Sequence, residues 1–135
     1  MSFTVVDLGN EFFLKGALGK QTNGNLHWHL YSNNHTPAVS DTLGSYTEVT
    51  GSGYSVQSTA PSGWTVSTTS DVTTAVAGDV TFTFSGAIAT IWGYFVTDST
   101  DATLLAAEKF TSSQSIGSGG GTLKLTAPTI TQNNC

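Results

Sequence analysis

The sequence predicts an all-β fold, an antiparallel β-sandwich or a jelly-roll-like barrel, with one short N-terminal helix. Three observations predict this class. Ser and Thr account for 39 of the 135 residues and Gly for another 15, which is typical of short strands joined by tight turns. The segment Asp79 to Gly86 alternates strictly between apolar and hydroxyl side chains, as a strand with one buried face requires. About eight strand-like segments recur at near-regular spacing.

The N-terminal helix is expected between residues 8 and 18. Leu14, Ala17 and Leu18 share a helical stripe, Asp7 is placed to cap the start, and Gly19 is placed to end it. Two internal glycines weaken this helix, so it should depend on tertiary packing. We therefore expect residues 1–20 to form an N-terminal arm with a helix, and residues 21–135 to form a single β domain.

The first predicted strands follow in order. Leu26 to Tyr31 places Leu26, Trp28 and Leu30 on one face, and the Asn-rich stretch with Pro37 then ends the strand. Two further segments, 45–50 and 54–58, flank a Gly-Ser-Gly hairpin or sharp corner. Short strands are also predicted at residues 64–67, 72–76 and 121–126.

The central segments are predicted to form the core. Val80, Phe82 and Phe84 should point inward, with Thr81 and Thr83 pointing outward. Residues 88–97 break the alternation, because Ile91 and Phe95 fall on one face while Trp92, Tyr94 and Val96 fall on the other. A strand that is apolar on both faces should be covered on both. Residues 103–110 are compatible with either a buried strand or a short helical turn.

Charge excludes several classes of partner. The chain has nine acidic residues, four lysines and no Arg, so it lacks the basic surface of a nucleic-acid-binding or anionic-membrane-binding protein.

The cysteine content and the N-terminus bear on the cellular compartment. The only cysteine, Cys135, allows no internal disulfide. The N-terminus does not resemble a signal peptide and no stretch is long enough to span a membrane. We therefore expect synthesis and folding in a cytoplasm.

Two groups of side chains have spacings that suggest metal binding. His27 and His29 lie two residues apart on a strand, with His35 nearby, so two imidazoles share a face. The alternative, which we favour, is the solvent-facing half of an alternating strand. Asp98 and Asp101 could hold calcium loosely, but an Asx-type turn explains them without an ion. We therefore expect no metal and no cofactor.

Catalytic patterns are weak. Glu48 and Glu108 could in principle form a glycosidase carboxylate pair, but both are more simply ordinary exposed residues. No nucleophile elbow or Ser-His-Asp order is present, and the run from Ser115 to Gly121 lacks the Lys-Ser/Thr end of a phosphate loop. The sequence therefore predicts no enzyme. Trp64 is the better candidate for an exposed, sugar-stacking ring, whereas Trp92 should be buried.

Several turn and core-strand motifs occur together in this order. They are Leu30-Tyr-Ser-Asn-Asn-His-Thr-Pro37, Tyr46-Thr-Glu-Val-Thr-Gly-Ser-Gly-Tyr54, Thr81-Phe-Thr-Phe-Ser-Gly86, Trp92-Gly-Tyr-Phe-Val-Thr-Asp98 and Ala107-Glu-Lys-Phe110. With the segment from Leu8 to Leu18, the chain resembles a family of small β-rich accessory virion proteins of tailed bacteriophages, some of which look like capsid decoration (cement) proteins. The motifs are structural, and the resemblance carries over no catalytic residue.

The resemblance implies a structural protein on the capsid surface of the virion that binds the major capsid protein or other virion proteins. It also implies a homotrimer. The alternative is a tail, fibre or baseplate component involved in attachment or carbohydrate binding. The N-terminus is more apolar than a free terminus should be, so residues 2–18 are the candidate contact arm, and their deletion from 2 to 13 should leave a folded domain. The candidate partner contacts are Phe3, Val5, Val6, Phe12, Phe13 and Trp64.

Overall fold

The structure, a computed structural model, describes residues 3–20 and 24–133. One helix and ten strands follow each other along this part of the chain. They are β1 (Thr4–Val5), α1 (Asp7–Ala17), β2 (Leu26–Tyr31), β3 (Gln57–Thr59), β4 (Trp64–Thr69), β5 (Val72–Ala77), β6 (Val80–Phe84), β7 (Ile88–Thr97), β8 (Leu104–Ile116), β9 (Gly121–Leu125) and β10 (Thr129–Asn133). Two short 3-10 turns, Leu43–Ser45 and Pro61–Gly63, lie between strands.

The strands form three antiparallel sheets. The largest has the order β1-β8-β7-β2-β3, the second β10-β5-β4, and the third pairs β6 with β9. Among the residues that the structure describes, 48% are in strands and 13% in helical structure. The expected all-β, sandwich-like fold with a short N-terminal helix is therefore confirmed.

The five-stranded sheet is covered on both faces, as the apolar pattern of β7 predicts. The main core contains Ile91, Tyr94 and Val96 with the β6 side chains, whereas Phe95 belongs to a second, smaller core. Our assignment of Ile91 and Phe95 to one face was wrong. The β7–β8 register shifts between Ile91 and Gly93, and such a bulge changes which side chains share a face.

The alternation in β6 is confirmed. Val80, Phe82 and Phe84 are buried while Thr81 and Thr83 are exposed. The ambiguous segment after Thr103 is a strand, and β8 continues through Ile116. It thus includes the first two residues of the run from Ser115, for which the sequence predicts a flexible loop.

The helix begins one residue before its predicted range, and the face that packs against the sheet is the one that contains Gly9. Gly9 is buried, and a Cβ there would collide with the main-chain oxygen of Leu105 in β8. The glycines that lower helix propensity therefore include one that permits close packing. Asp7 is the first helical residue and makes no side-chain cap hydrogen bond, but its charge suits a helix N-terminus. Gly19, with a φ of 67°, ends the helix as predicted.

The predicted strand at residues 45–50 is wrong. Only Glu48 pairs there, in an isolated bridge with Tyr31. Gly51, Ser52 and Gly53 all have positive φ, so this stretch is a sharp corner. It does not form a hairpin, because the residues before and after it, Glu48 and β3, pair with the same edge of β2. Strand β10 has no counterpart among the predictions.

Candidate functional site

A polar network lies at one end of β2, where we expected two solvent-facing histidines. His29 is only 4% exposed, so its predicted position on a wet face was wrong. Its ring stacks on Phe95 with centroids 4.6 Å apart. The side chains of Glu48, from the loop beside β2, and of Asp101, from the turn after β7, contact the His29 ring, so this part of the histidine face is covered as well.

Two carboxylates contact the buried imidazole. Nδ1 of His29 lies 2.7 Å from Oε1 of Glu48, and Nε2 lies 3.1 Å from Oδ1 of Asp101 and 3.0 Å from Oγ1 of Thr97. Ionised carboxylates only accept hydrogen bonds. Nδ1 of His29 therefore donates to Glu48, whereas the role of Nε2, which faces both Asp101 and the Thr97 hydroxyl, depends on the ring tautomer.

The network extends at both ends. Oε1 of Glu48 also accepts a hydrogen bond from the Tyr54 hydroxyl at 2.9 Å, and that hydroxyl accepts one from the main-chain N–H of Leu30 at 3.0 Å. Nδ1 of His27 lies 2.7 Å from the same Asp101 oxygen. Glu48, predicted to be an ordinary exposed residue, is half-buried and fully engaged.

The electrostatics follow from these contacts. Burial by itself raises the pKa of Asp101, but hydrogen bonds from His27 and Thr97 and the charges of His27 and His29 outweigh it and leave the pKa below its ordinary value. Burial and the neighbouring Glu48 raise the pKa of Tyr54, although the Leu30 N–H opposes that shift.

This arrangement is a structural clamp. Both nitrogens of His29 are occupied by protein groups, so the ring has no free position for a substrate or an ion. Across residues 3–20 and 24–133, no group of three His, Cys, Asp or Glu side chains is arranged to hold a metal ion. The network joins β2, the Glu48 loop and the β7–β8 turn into one unit.

The β7–β8 turn has the expected Asx geometry. Oδ1 of Asp98 accepts hydrogen bonds from the main-chain N–H groups of Ala102 and Thr103, both at 3.0 Å, and its Oδ2 accepts one from the Thr100 hydroxyl at 2.6 Å. Asp101 adopts a left-handed backbone with a φ of 57°, which Asp tolerates better than most residues. The turn thus places Asp101 against the two histidines.

A second clamp, centred on Asp41, lies at the other end of β2. Its Oδ2 contacts Nε2 of His35 at 2.8 Å, the hydroxyl of Tyr46 at 2.6 Å and the main-chain N–H of Ala38 at 2.9 Å. Burial raises the pKa of Asp41, and these three contacts reverse the shift and hold the pKa below its ordinary value. The Tyr46 ring packs between Tyr31 and Phe95, so this clamp closes the second core.

Two adjoining open grooves run along β8 and β9. One, of about 750 Å³, lies beside Phe3, Tyr94 and Thr129, and the other, of about 660 Å³, follows the later part of β8; both are lined by Glu108, Phe110 and Lys124. The hydroxyl of buried Tyr94 donates a 2.7 Å hydrogen bond to Oε2 of Glu108, and burial followed by this contact raises the pKa of Tyr94. Glu108, like Glu48, is therefore half-buried and not freely exposed.

Of the predicted partner contacts, one is buried and five are half-buried. Val6 is fully buried and cannot contact a partner in this conformation. The others, Phe3, Val5, Phe12, Phe13 and Trp64, are half-buried. Trp64 stacks on Trp28 with centroids 6.0 Å apart, so its inner face is not a free sugar platform. Trp92, expected to be buried, is half-buried with Nζ of Lys109 5.1 Å from its ring centre.

Other apolar side chains of the N-terminal segment are exposed. Leu14 is 62% exposed and Leu18 66%, one helical turn apart on α1, and Leu8 near the helix start is 47% exposed. Leu14 and Leu18 share one face of the helix and we call these two side chains the leucine stripe; Leu8 lies on a neighbouring part of the exposed surface. The sequence showed that Leu14 and Leu18 share a face, but not that glycine packing would turn this face away from the sheet.

No protein-family model, no curated protein and no solved structure matches the chain. Within residues 3–20 and 24–133, no helix is long and apolar enough to cross a membrane.

Proposed function

We propose that this protein is a structural accessory protein of a bacteriophage virion, acting as a capsid decoration (cement) protein that binds the major capsid protein lattice. The observation that carries the proposal is the leucine stripe on a helix that is itself fixed to the sheet. Side chains of this kind, presented on an ordered element, are typical of a protein contact. The motif resemblance supplies the virion setting.

The docking would be apolar. The stripe presents two leucines beside an exposed pair of opposite charges, Lys15 and Glu11, on a chain in which only 10% of residues are charged. Binding should therefore depend little on ionic strength. A protein that binds only the assembled lattice stabilises that lattice by mass action, which is the physical basis of cementing.

The polar networks also support a structural role. The histidines that could have served chemistry are bound to carboxylates within the fold: His27 and His29 to Asp101, and His35 to Asp41. Such fully connected buried networks make a core rigid and specific. A rigid scaffold lowers the entropic cost of presenting a contact surface.

The test is a paired substitution on the stripe. Leu14→Ser with Leu18→Ser should leave the fold intact, because both side chains already face water, but should abolish binding to capsids that lack the protein. Val56→Ser, at an apolar side chain 37% exposed near β3, is the matched control and should bind normally. Normal decoration by the double variant would refute the proposal.

Substituting the stripe residues is a more specific test than truncating the N-terminal segment. Deleting residues 2–13 would remove the fully buried Val6 and the Gly9 contact with β8, so the loss of binding could simply reflect an opened core. The expectation that this deletion leaves a folded domain therefore stays a prediction. It requires the domain to remain folded without these two contacts. A thermal unfolding curve of the truncated chain would check it.

The groove beside Phe110 favours a second candidate, a tail, fibre or baseplate component that binds carbohydrate. Aromatic rings next to a carboxylate and hydroxyls suit a sugar. Phe110→Ala with Glu108→Gln should then reduce adsorption of phage to its host and leave the heat stability of the heads unchanged. Under the cement proposal, the same variant decorates heads normally and adsorption does not change.

A further inference from the structure

Strand β4 forms an unusually open sheet edge. Most other edges carry a protection: β1 has two residues and β3 has three, β9 carries Lys124, and the later part of β8 is irregular. Short length, charge and bulges are the means by which proteins block strand addition. Strand β4 has six residues, regular pairing with β5, no charge and no Pro. Nothing in the described chain covers it, because every residue after Trp64 is exposed.

The hairpin turn shows which main-chain groups are free. Ser70 and Asp71 form a two-residue loop, both with positive φ (51° and 64°), as in a type I′ turn. The closing pair of such a hairpin, Thr69 with Val72, exchanges both hydrogen bonds, and bonded residues then alternate along the strand. The N–H and C=O groups of Thr68, Val66 and Trp64 therefore point away from β5, and of these only the Trp64 N–H is already bonded, to the Pro61 carbonyl of the preceding 3-10 turn.

We propose that β4 binds β4 of a second copy of this chain, antiparallel, about a two-fold axis that passes beside Val66. In this register Val66 faces the partner subunit's Val66, and Trp64 faces Thr68 of the partner subunit. The outward groups of the three residues are then paired across the axis, except the Trp64 N–H, which keeps its bond to the Pro61 carbonyl. The two three-stranded sheets join into one six-stranded sheet.

A second copy fits this edge because the edge is symmetric about Val66. A two-fold axis perpendicular to the sheet places the same face of both copies on the same side. Two residues that oppose each other across the axis must therefore point to the same face, which requires their residue numbers to differ by an even number. The three outward residues meet this condition. The Val66 side chain is 65% exposed and would be covered by Val66 of the partner subunit. Asp71, the charge at the hairpin tip, would lie at opposite ends of the two copies, so no like charges meet.

This pairing is independent of the leucine stripe, which lies on α1 over β8. It predicts a two-fold dimer where the resemblance implies a homotrimer. Pairing through one strand edge is a small interface, so the dimer should dissociate on dilution.

Sedimentation velocity from micromolar to millimolar protein tests the assembly. The chain should pass from monomer to dimer, and Val66→Lys, which brings two ammonium groups together at the axis, should remain monomeric at every concentration. Val39→Lys makes the same change at a side chain 58% exposed outside the sheets and should dimerise normally. A monomer or a trimer across the whole range, or a Val66→Lys dimer, would overturn the proposal.

Cysteine cross-linking tests the register. In a Cys135→Ser background, Val66→Cys should form an intermolecular disulfide under mild oxidation, because opposed residues of a bonded pair lie about 5.5 Å apart at Cα. Ser67→Cys points to the other face, opposite Thr65 of the partner subunit, and should link far more slowly. Faster linking of Ser67→Cys, or equal rates at both positions, would refute a two-fold axis beside Val66.

Discussion

Replacing His29 with Phe removes the polar contacts of the buried imidazole while keeping a flat ring in its place. The new ring can retain the stacking on Phe95, where the present rings are 5° from parallel. What is lost is the contact with Glu48 at 2.7 Å and the contacts with Asp101 and Thr97 near 3 Å. The substitution therefore isolates the energetic role of the clamp.

The expected cost follows from these contacts. A hydrogen bond to a charged group contributes about 1.5–3 kcal/mol, and the clamp has two such contacts. The Glu48 and Asp101 side chains are 38% and 49% exposed, so water will partly rehydrate them in the variant. We therefore expect a loss of about 2–3 kcal/mol in the free energy of unfolding, equivalent to a fall in Tm of roughly 6–12 °C.

Urea unfolding followed by circular dichroism measures this loss. His35→Phe is the comparison variant, because His35 has one carboxylate contact at 2.8 Å and a side chain 31% exposed, and its partner Asp41, although only 8% exposed, keeps hydrogen bonds from Tyr46 and Ala38. It should cost about 1 kcal/mol. A loss below about 1 kcal/mol for His29→Phe, or equal losses for the two variants, would refute the clamp as a main source of stability.

Three further variants test the packing and the charges. Gly9→Ala, which usually stabilises a helix by up to about 1 kcal/mol, should instead destabilise the protein, because the new Cβ meets the main chain of Leu105; a higher urea midpoint would contradict the helix packing. Asp101 has a lowered pKa in the folded state, so its contribution is complete above the ordinary carboxyl pKa of about 4 and is lost as pH falls through the folded value. Asp101→Asn should therefore be less stable at neutral pH and lose less stability on acidification, and an unchanged acid limb in the unfolding free energy would count against this assignment. Phe82→Ala, at a core side chain 1% exposed, should cost about 3–5 kcal/mol in chemical unfolding, and a cost under 1 kcal/mol would place Phe82 outside the core.

The sequence predicted features that depend on local periodicity. The strict alternation of Val80, Phe82 and Phe84 predicts β6, and the two-sided apolar pattern of residues 88–97 predicts a doubly covered strand. Both follow from side-chain direction along one strand. The face assignment of Phe95 failed because a bulge is set by pairing with β8, and no pattern within β7 encodes it.

The polar site depended on long-range contacts. His29, Glu48 and Asp101 are separated by 19 and 53 residues along the chain, and only the fold brings them together. A period-two pattern in β2 predicts that His27 and His29 share a face, but it does not show that a loop covers that face. The leucine stripe was missed for a related reason, since the small side chain of Gly9 decides which helix face packs.

The position of the protein on the virion tests the central proposal most directly. Immunogold labelling of purified phage particles, with an antibody to this chain, resolves the head from the tail. A decoration protein should give dense, regular labelling over the whole head, and the Leu14→Ser, Leu18→Ser variant should give unlabelled heads. Labelling confined to the tail tip, with heads unlabelled, would contradict the cement assignment.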